Sequence, residues 1–351
     1  MIRPPHLKKG GKIAVISPSW NGTSAFPQRF NQAQKQAQKQ LGIHLVLPPI
    51  KPKTPKKKVE QLLWAVENPS IDGIFSSIGG QTAATMIPHI DESVLDIIRK
   101  NPKWFVGFSD TTVINYIFTK AGLASAYGPT ALFGLAENQG MPNLTKESLY
   151  NALFTDKEYS LVQNKEGWTA DLVPWTEEGN KVKRKMYYSQ EKKFYNGKKV
   201  EGELIGGCLE VLVMLSGTPI WPSKSVWKDK ILFIETSEEA PSPSQMQYWL
   251  RGFGAQGILN DIRGILFGIP GYEVKHKDKK HDEKIINHVE SFEEYEHKIL
   301  EVLEEFNADI PLVSRLHIGH IMPMHTVCFG DKAYIYPDRN RVHIRDERHS
   351  P

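Results

Sequence analysis

Cysteine is nearly absent. Cys208 and Cys328 are the only two in 351 residues, far apart and in no C-x-x-C pattern. That scarcity argues against a disulfide framework or a cysteine-built metal centre, and for buried free thiols in a reducing compartment. No apolar run approaches the ~20 residues of a membrane span. The start, Met1 to Gly11, has no apolar stretch of the secretory kind. A cytoplasmic protein with no membrane partner is therefore expected. Net charge is small for this length, +4. Lysines gather at 56–58 and 275–280. No aromatic residues interleave with them, so both clusters read as solvated loops and no nucleic-acid polymer is expected as partner. A G-x-G-x-x-G after the first strand and a P-loop lysine are also missing. No internal repeat is visible.

What remains is an ordinary globular composition, 40% hydrophobic and 24% charged. The length favours two domains over one core. In the first half, strand and helix signals alternate. Lys12 to Ser17, Ile43 to Leu47, Gly73 to Ile78 and Trp104 to Phe108 read as strands, with helical patterns between them. Such alternation predicts an α/β fold. Its N-terminal domain, 1–154, is a flavodoxin- or Rossmann-like parallel sheet with ligands at the carboxyl ends of the strands. Residues 155–200 are charged and aromatic without long periodicity, and read as a linker and substrate loop. Residues 201–351 form a C-terminal mixed α/β domain with a β-rich core. Its clear strand is Lys230 to Glu235, and short strands with turns at Gly330-Asp331 and 338–340 close the chain.

The most informative stretch is Trp104-Phe105-Val106-Gly107-Phe108-Ser109-Asp110-Thr111-Thr112. A strand, a tight turn and a helix in that order lift a serine hydroxyl toward a substrate, with free helix N–H groups facing the same point. Thr111 stands where the second glycine of a G-x-S-x-G elbow would be, and either Ser109 or Asp110 could simply cap the helix. Glu235 ends a buried strand, where a carboxylate can orient a histidine or cap the next segment. His320 lies in Leu316-His317-Ile318-Gly319-His320-Ile321-Met322-Pro323-Met324-His325. Three histidines raise a metal site as a rival, but H-x-x-H-x4-H matches no trusted zinc spacing, so no metal is expected. Gly79-Gly80 reads as a turn bringing backbone N–H groups near Ser109.

Taken together, the segments resemble the LD-carboxypeptidase family of serine peptidases, which includes muramoyltetrapeptide carboxypeptidases and microcin C immunity proteins. The resemblance rests on 11–19, 78–80, 106–112, 204–207, 234–239 and 319–324, in the family's order. It implies Ser109 as nucleophile, His320 as general base and Glu235 as its orienting carboxylate. It also implies an oxyanion hole from the N–H groups of Gly80 and Asp110, no cofactor, and a homodimer. The activity would rise with one deprotonation near neutrality. Ile78-Gly79-Gly80-Gln81 looks closer to the microcin-immunity branch, whose substrates are peptidyl or aminoacyl nucleotides, than to the cell-wall branch acting on muropeptides. A non-catalytic peptide- or nucleotide-binding module is the alternative of another class. Trp168 and Trp175 are the candidates for stacking on a base. Cys208, where relatives usually carry asparagine, is the candidate for altered substrate contact.

Overall fold

The computed structural model describes residues 1–188, 190–307 and 309–345. Five parallel strands, β1 (Lys12–Ile16), β2 (His44–Val46), β3 (Gly73–Ser76), β4 (Trp104–Gly107) and β5 (Ala126–Tyr127), form a sheet in the order β2-β1-β3-β4-β5. That is the flavodoxin order, whose switch point lies between β1 and β3. Apart from Lys12, β1, β3 and β4 are buried throughout, which is why these segments read as short apolar runs rather than alternating ones. Helix Pro27–Leu41 shows how the sequence sets an element: proline at its start, Phe30, Ala33, Ala37 and Leu41 inward, and left-handed Gly42 to end it.

The second sheet has eight strands. Val200–Cys208, Lys230–Glu235, Gly264–Gly268 and Leu312–Leu316 run parallel at its centre. Antiparallel neighbours flank them, including Lys332–Tyr336 and Arg341–Arg345 at one side and Lys193–Tyr195 at the other. The stretch 155–200 thus supplies an edge strand at each end, Tyr159–Ser160 and Lys193–Tyr195. Among the described residues no helix is long and apolar enough to cross a membrane.

Two features lock the halves together. Helix Thr112–Lys120, which follows Ser109, is buried from Thr112 to Phe118 and sits in one apolar core with Leu204, Leu209, Leu212 and Phe233 of the other half. Val113, Ile114, Ile117 and Phe118 are all fully buried, each worth about 1.5–3 kcal/mol of transfer from water. In return, Val327–Cys328 crosses back and pairs antiparallel with β5, beside Tyr127. A site built from both halves is thereby held by packed core.

Candidate active site

Three carboxyl ends converge. β1 runs into Ser17-Pro18-Ser19-Trp20, β3 into Ile78-Gly79-Gly80, and β4 into Phe108-Ser109. Ser109 has φ of +63°, a left-handed conformation that a serine adopts only at a cost of about 1–3 kcal/mol. A strained turn between strand and helix is the backbone shape that a nucleophile elbow requires. A 3₁₀ turn and helix Thr112–Lys120 follow, and neither carries a side-chain cap. The Thr112 hydroxyl donates back to the Ser109 carbonyl at 2.6 Å. The Asp110 carboxylate instead accepts from Ala83 N–H at 2.8 Å, tying the loop after β3 to this turn. Capping, the simpler reading of both residues, is thus not what they do here. Gly79 must be glycine for a local reason: a Cβ there would stand 2.8 Å from Ser109 Oγ. The same point lies 3.7 Å from Asp110 N, so the Gly79-Gly80 loop and the Asp110 amide flank the serine.

Glu235 ends the central strand Lys230–Glu235 and is completely buried. Its Oε2 accepts from His320 at both backbone N (3.1 Å) and Nδ1 (2.7 Å). A side chain at Gly319 would collide with this carboxylate, since its Cβ would lie 2.0 Å from Oε2. Oε1 accepts from the Tyr127 hydroxyl at 2.5 Å, and the same hydroxyl accepts from Ser109 N–H at 3.2 Å. Burial, and then Glu235, push the Tyr127 phenol well up, so it remains a donor to the carboxylate. Tyr127 therefore links the Ser109 turn to the Glu235–His320 pair.

The His320 ring is buried and rests edge-on against Phe108, with ring centres 4.8 Å apart. Its Nε2 has the half-exposed Glu238 carboxylate at 3.1 Å. Burial alone would lower the imidazole, but the charge and hydrogen bond of Glu235, then Glu238 and Glu210, outweigh it and bring it up to about 9. Burial pushes the Glu235 carboxyl above its ordinary range, opposed by His320. A proton is therefore held strongly on this pair at neutral pH. The deprotonation expected near neutrality from sequence belongs higher.

Ser109, His320, Gly79 and Gly80 line one largely apolar cavity of about 760 Å³, whose walls also include Trp20, Phe26, Phe133 and Trp175. A serine on a strained turn, an imidazole and a carboxylate behind it are the parts of an acyl-transfer site. The histidine cluster does not assemble as a metal centre. His317 Nδ1 meets the Pro323 carbonyl at 3.0 Å, and both ring nitrogens of His325 are taken by Ser148 and the Val162 carbonyl. Cys208, Glu235 and His320 do bring one ligand atom each within 4.8 Å. In this structure all three are engaged otherwise: Glu235 accepts from His320 and Tyr127, and the Cys208 thiol donates to Glu210.

Residues 13–128 match the LD-carboxypeptidase N-terminal domain and residues 201–335 the LD-carboxypeptidase C-terminal domain. The chain belongs to the LD-carboxypeptidase family. Family membership makes it a hydrolase of the peptidase type. It is 28% identical to the microcin C7 self-immunity protein MccF of Escherichia coli, over 97% of this chain and 95% of that one. It is 29% identical to a probable murein peptide carboxypeptidase of Bacillus subtilis strain 168, over 75% of this chain and 68% of the relative. The solved structure of the microcin C7 self-immunity protein with aspartyl sulfamoyl adenosine superposes with a TM-score of 0.82 at 26% identity, covering all of both chains.

Two expected contact residues fall away from this cavity. Trp168 is fully buried in a separate core with Ile285 and Phe292, so its ring has no free face for a base. Trp175 does line the cavity, half-buried, with Arg29 over its ring at 5.1 Å. Cys208 is buried beneath the site, donating to Glu210 at 3.3 Å, and does not line the cavity. Conversely, Lys275 and Lys277 of the presumed solvated loop are cavity-lining, because Val274–Lys275 pairs with Asp171–Leu172 and folds over it. Tyr127, Glu238 and Glu273 were not visible as site residues. β5 is two residues long and offers no periodicity, and the two glutamates sit in irregular segments after strands.

Proposed function

We propose that this chain is a serine hydrolase with a Ser109–His320–Glu235 triad, cleaving the amide between an acyl amino acid and a nucleotide-like group. The observation that carries this reading is that Ser109, His320 and the half-buried Trp175 line one cavity. Ser109 Oγ attacks the acyl carbon while His320 Nε2 takes its proton, and Glu235 holds Nδ1 and supports the imidazolium. The oxyanion is received by the N–H groups of Gly80 and Asp110, each worth about 3 kcal/mol. Collapse breaks the C–N bond, His320 returns the proton to the leaving nitrogen, and water then cleaves the acyl-enzyme. The structural neighbour solved with aspartyl sulfamoyl adenosine supports an aminoacyl nucleotide as the substrate class. We take the enzyme to act in the cytoplasm as a homodimer without a cofactor.

A second reading, L,D-cleavage of muropeptides, has the Bacillus subtilis relative in its favour. One purified sample incubated with an aminoacyl sulfamoyl adenosine and with an L,D-tetrapeptide, read by mass spectrometry, separates the two. Release of the sulfamoyl nucleoside supports the first, and release of the terminal D-residue the second. No product from either, with binding retained, returns the protein to a binding module.

A further inference from the structure

The Glu235 carboxylate accepts three hydrogen bonds, and only two of them come from His320. Oε2 takes the backbone N–H and Nδ1 of His320, while Oε1 takes the Tyr127 hydroxyl at 2.5 Å. Carboxylate and phenol are both completely buried, where a charged oxygen that loses its donor is costly. The same phenol oxygen accepts from Ser109 N–H at 3.2 Å. That bond occupies the amide of the nucleophile itself, which leaves the oxyanion to Gly80 and Asp110. It also restrains the residue whose φ is +63°. The Tyr127 ring is set by Phe233 and Phe108, with ring centres 5.4 and 6.4 Å away, and it does not line the cavity. One oxygen thus touches the nucleophile's backbone and the carboxylate behind the base without meeting a substrate.

We propose that Tyr127 is a positioning residue of the hydrolase, whose hydroxyl holds the Ser109 turn and Glu235 in register and favours the neutral form of His320. This rests on the hydrolase reading and adds a fourth side chain to its machinery. A donor to Glu235 stabilises the carboxylate most when no imidazolium matches its charge, which is when His320 is neutral. That is the form able to take the serine proton. Burial raises the Glu235 carboxyl, His320 opposes the rise, and the Tyr127 bond acts in the same direction as His320. Without the hydroxyl, the pair should hold its proton more tightly and His320 should move above its value of about 9. Glu238 at 3.1 Å from Nε2, Glu210 bonded to Ser237, Glu273 on the cavity wall and the Cys208 thiol also face the pair. Deleting one phenol oxygen leaves all four in place.

The test is Tyr127→Phe, which keeps the packed ring and removes only that oxygen. Histidine NMR against pH follows the imidazole, with His320 assigned by its loss in His320→Ala, and kcat and KM are measured beside it. His320 should titrate at least about half a pH unit higher, kcat at pH 7 should fall at least about tenfold, and KM should stay within about twofold. An unmoved titration, or one displaced to lower pH, overturns the proposal even where kcat falls, because a loosened core slows turnover without moving the base. If Tyr127→Phe does not fold, 3-fluorotyrosine placed at 127 is the second variant. Its more acidic phenol is a stronger donor, so His320 should titrate lower, and an unmoved titration again overturns the role. Wild-type turnover beside an unmoved titration removes Tyr127 and leaves the hydrolase reading standing. Absence of wild-type turnover removes the hydrolase reading and this role with it.

Discussion

Replacing Glu238 by glutamine should make the enzyme more active at neutral pH. His320 must be neutral to accept the Ser109 proton, and the surrounding carboxylates hold it protonated up to about 9. Two units below that value, about one molecule in a hundred carries the neutral imidazole. Glu238 contributes through a contact of 3.1 Å to Nε2, with its side chain 43% exposed. Because that carboxylate is well solvated, a water-like dielectric is the right choice, and the pair is then worth about 1.3 kcal/mol, or about one pKa unit. The sign follows from the charge: removing an anion beside an imidazolium lowers the pKa. The rising limb of kcat/KM, which reports the free enzyme, should therefore move from about 9 toward about 8, and the rate at pH 7 should rise about tenfold. The assay is kcat/KM against pH from 6 to 10 on one fixed substrate, for wild type and Glu238→Gln side by side. An unchanged limb, or one displaced to higher pH, would show that Glu238 does not act on the base.

Ser109→Ala and His320→Ala should each lower kcat by several orders of magnitude, and the double variant should be little worse than either, as expected of groups acting as a unit. A folded Ser109→Ala protein with near-normal turnover would falsify the proposed chemistry. The two tryptophans should part company. Trp175→Ala should weaken a nucleotide substrate by about 1–3 kcal/mol with little change in stability, whereas Trp168→Ala empties a packed core position and should cost about 3–5 kcal/mol in denaturant unfolding. Prolonged chelation with EDTA should leave turnover unchanged, and loss that zinc restores would favour a metal at Cys208, Glu235 and His320 over the triad.

Four strands of the parallel sheet were legible because each is a short apolar run closed by a turn signal, whereas β5, two residues long, left no such pattern. Ser109 could be picked out for the same reason, since a strand, a serine and an apolar helix in succession leave a pattern within nine residues. Glu235 was legible as a carboxylate at the lip of such a run. Trp168 and Trp175 were not separable, because seven residues apart in an aperiodic stretch they carry the same local signal. Only the docking of 168–175 against 274–292 decides that one ring is core and the other cavity wall. Tyr127 and Glu238 were hidden by the same cause. Their roles come from contacts with partners 108 and 82 residues away in sequence, which no local pattern encodes.

The position of the site between the two halves follows from what the core does rather than from the cavity. Ser109 precedes a helix whose side chains are buried in common with Leu204, Leu209 and Phe233, so the turn cannot shift without disturbing packing on both sides. Tyr127 stands on the strand to which the C-terminal half adds Val327–Cys328, seven residues after His320. Its hydroxyl spans Ser109 N–H and Glu235 Oε1. The strained backbone at Ser109 is thus braced by a bond that also fixes the carboxylate orienting His320. Strain of about 1–3 kcal/mol persists because the packing around it over-determines the turn. Rigid support suits chemistry that depends on a hydroxyl and an imidazole meeting in one geometry. Glu238, exposed and attached to a loop instead of the core, is the one charged neighbour of His320 Nε2 that this packing does not hold.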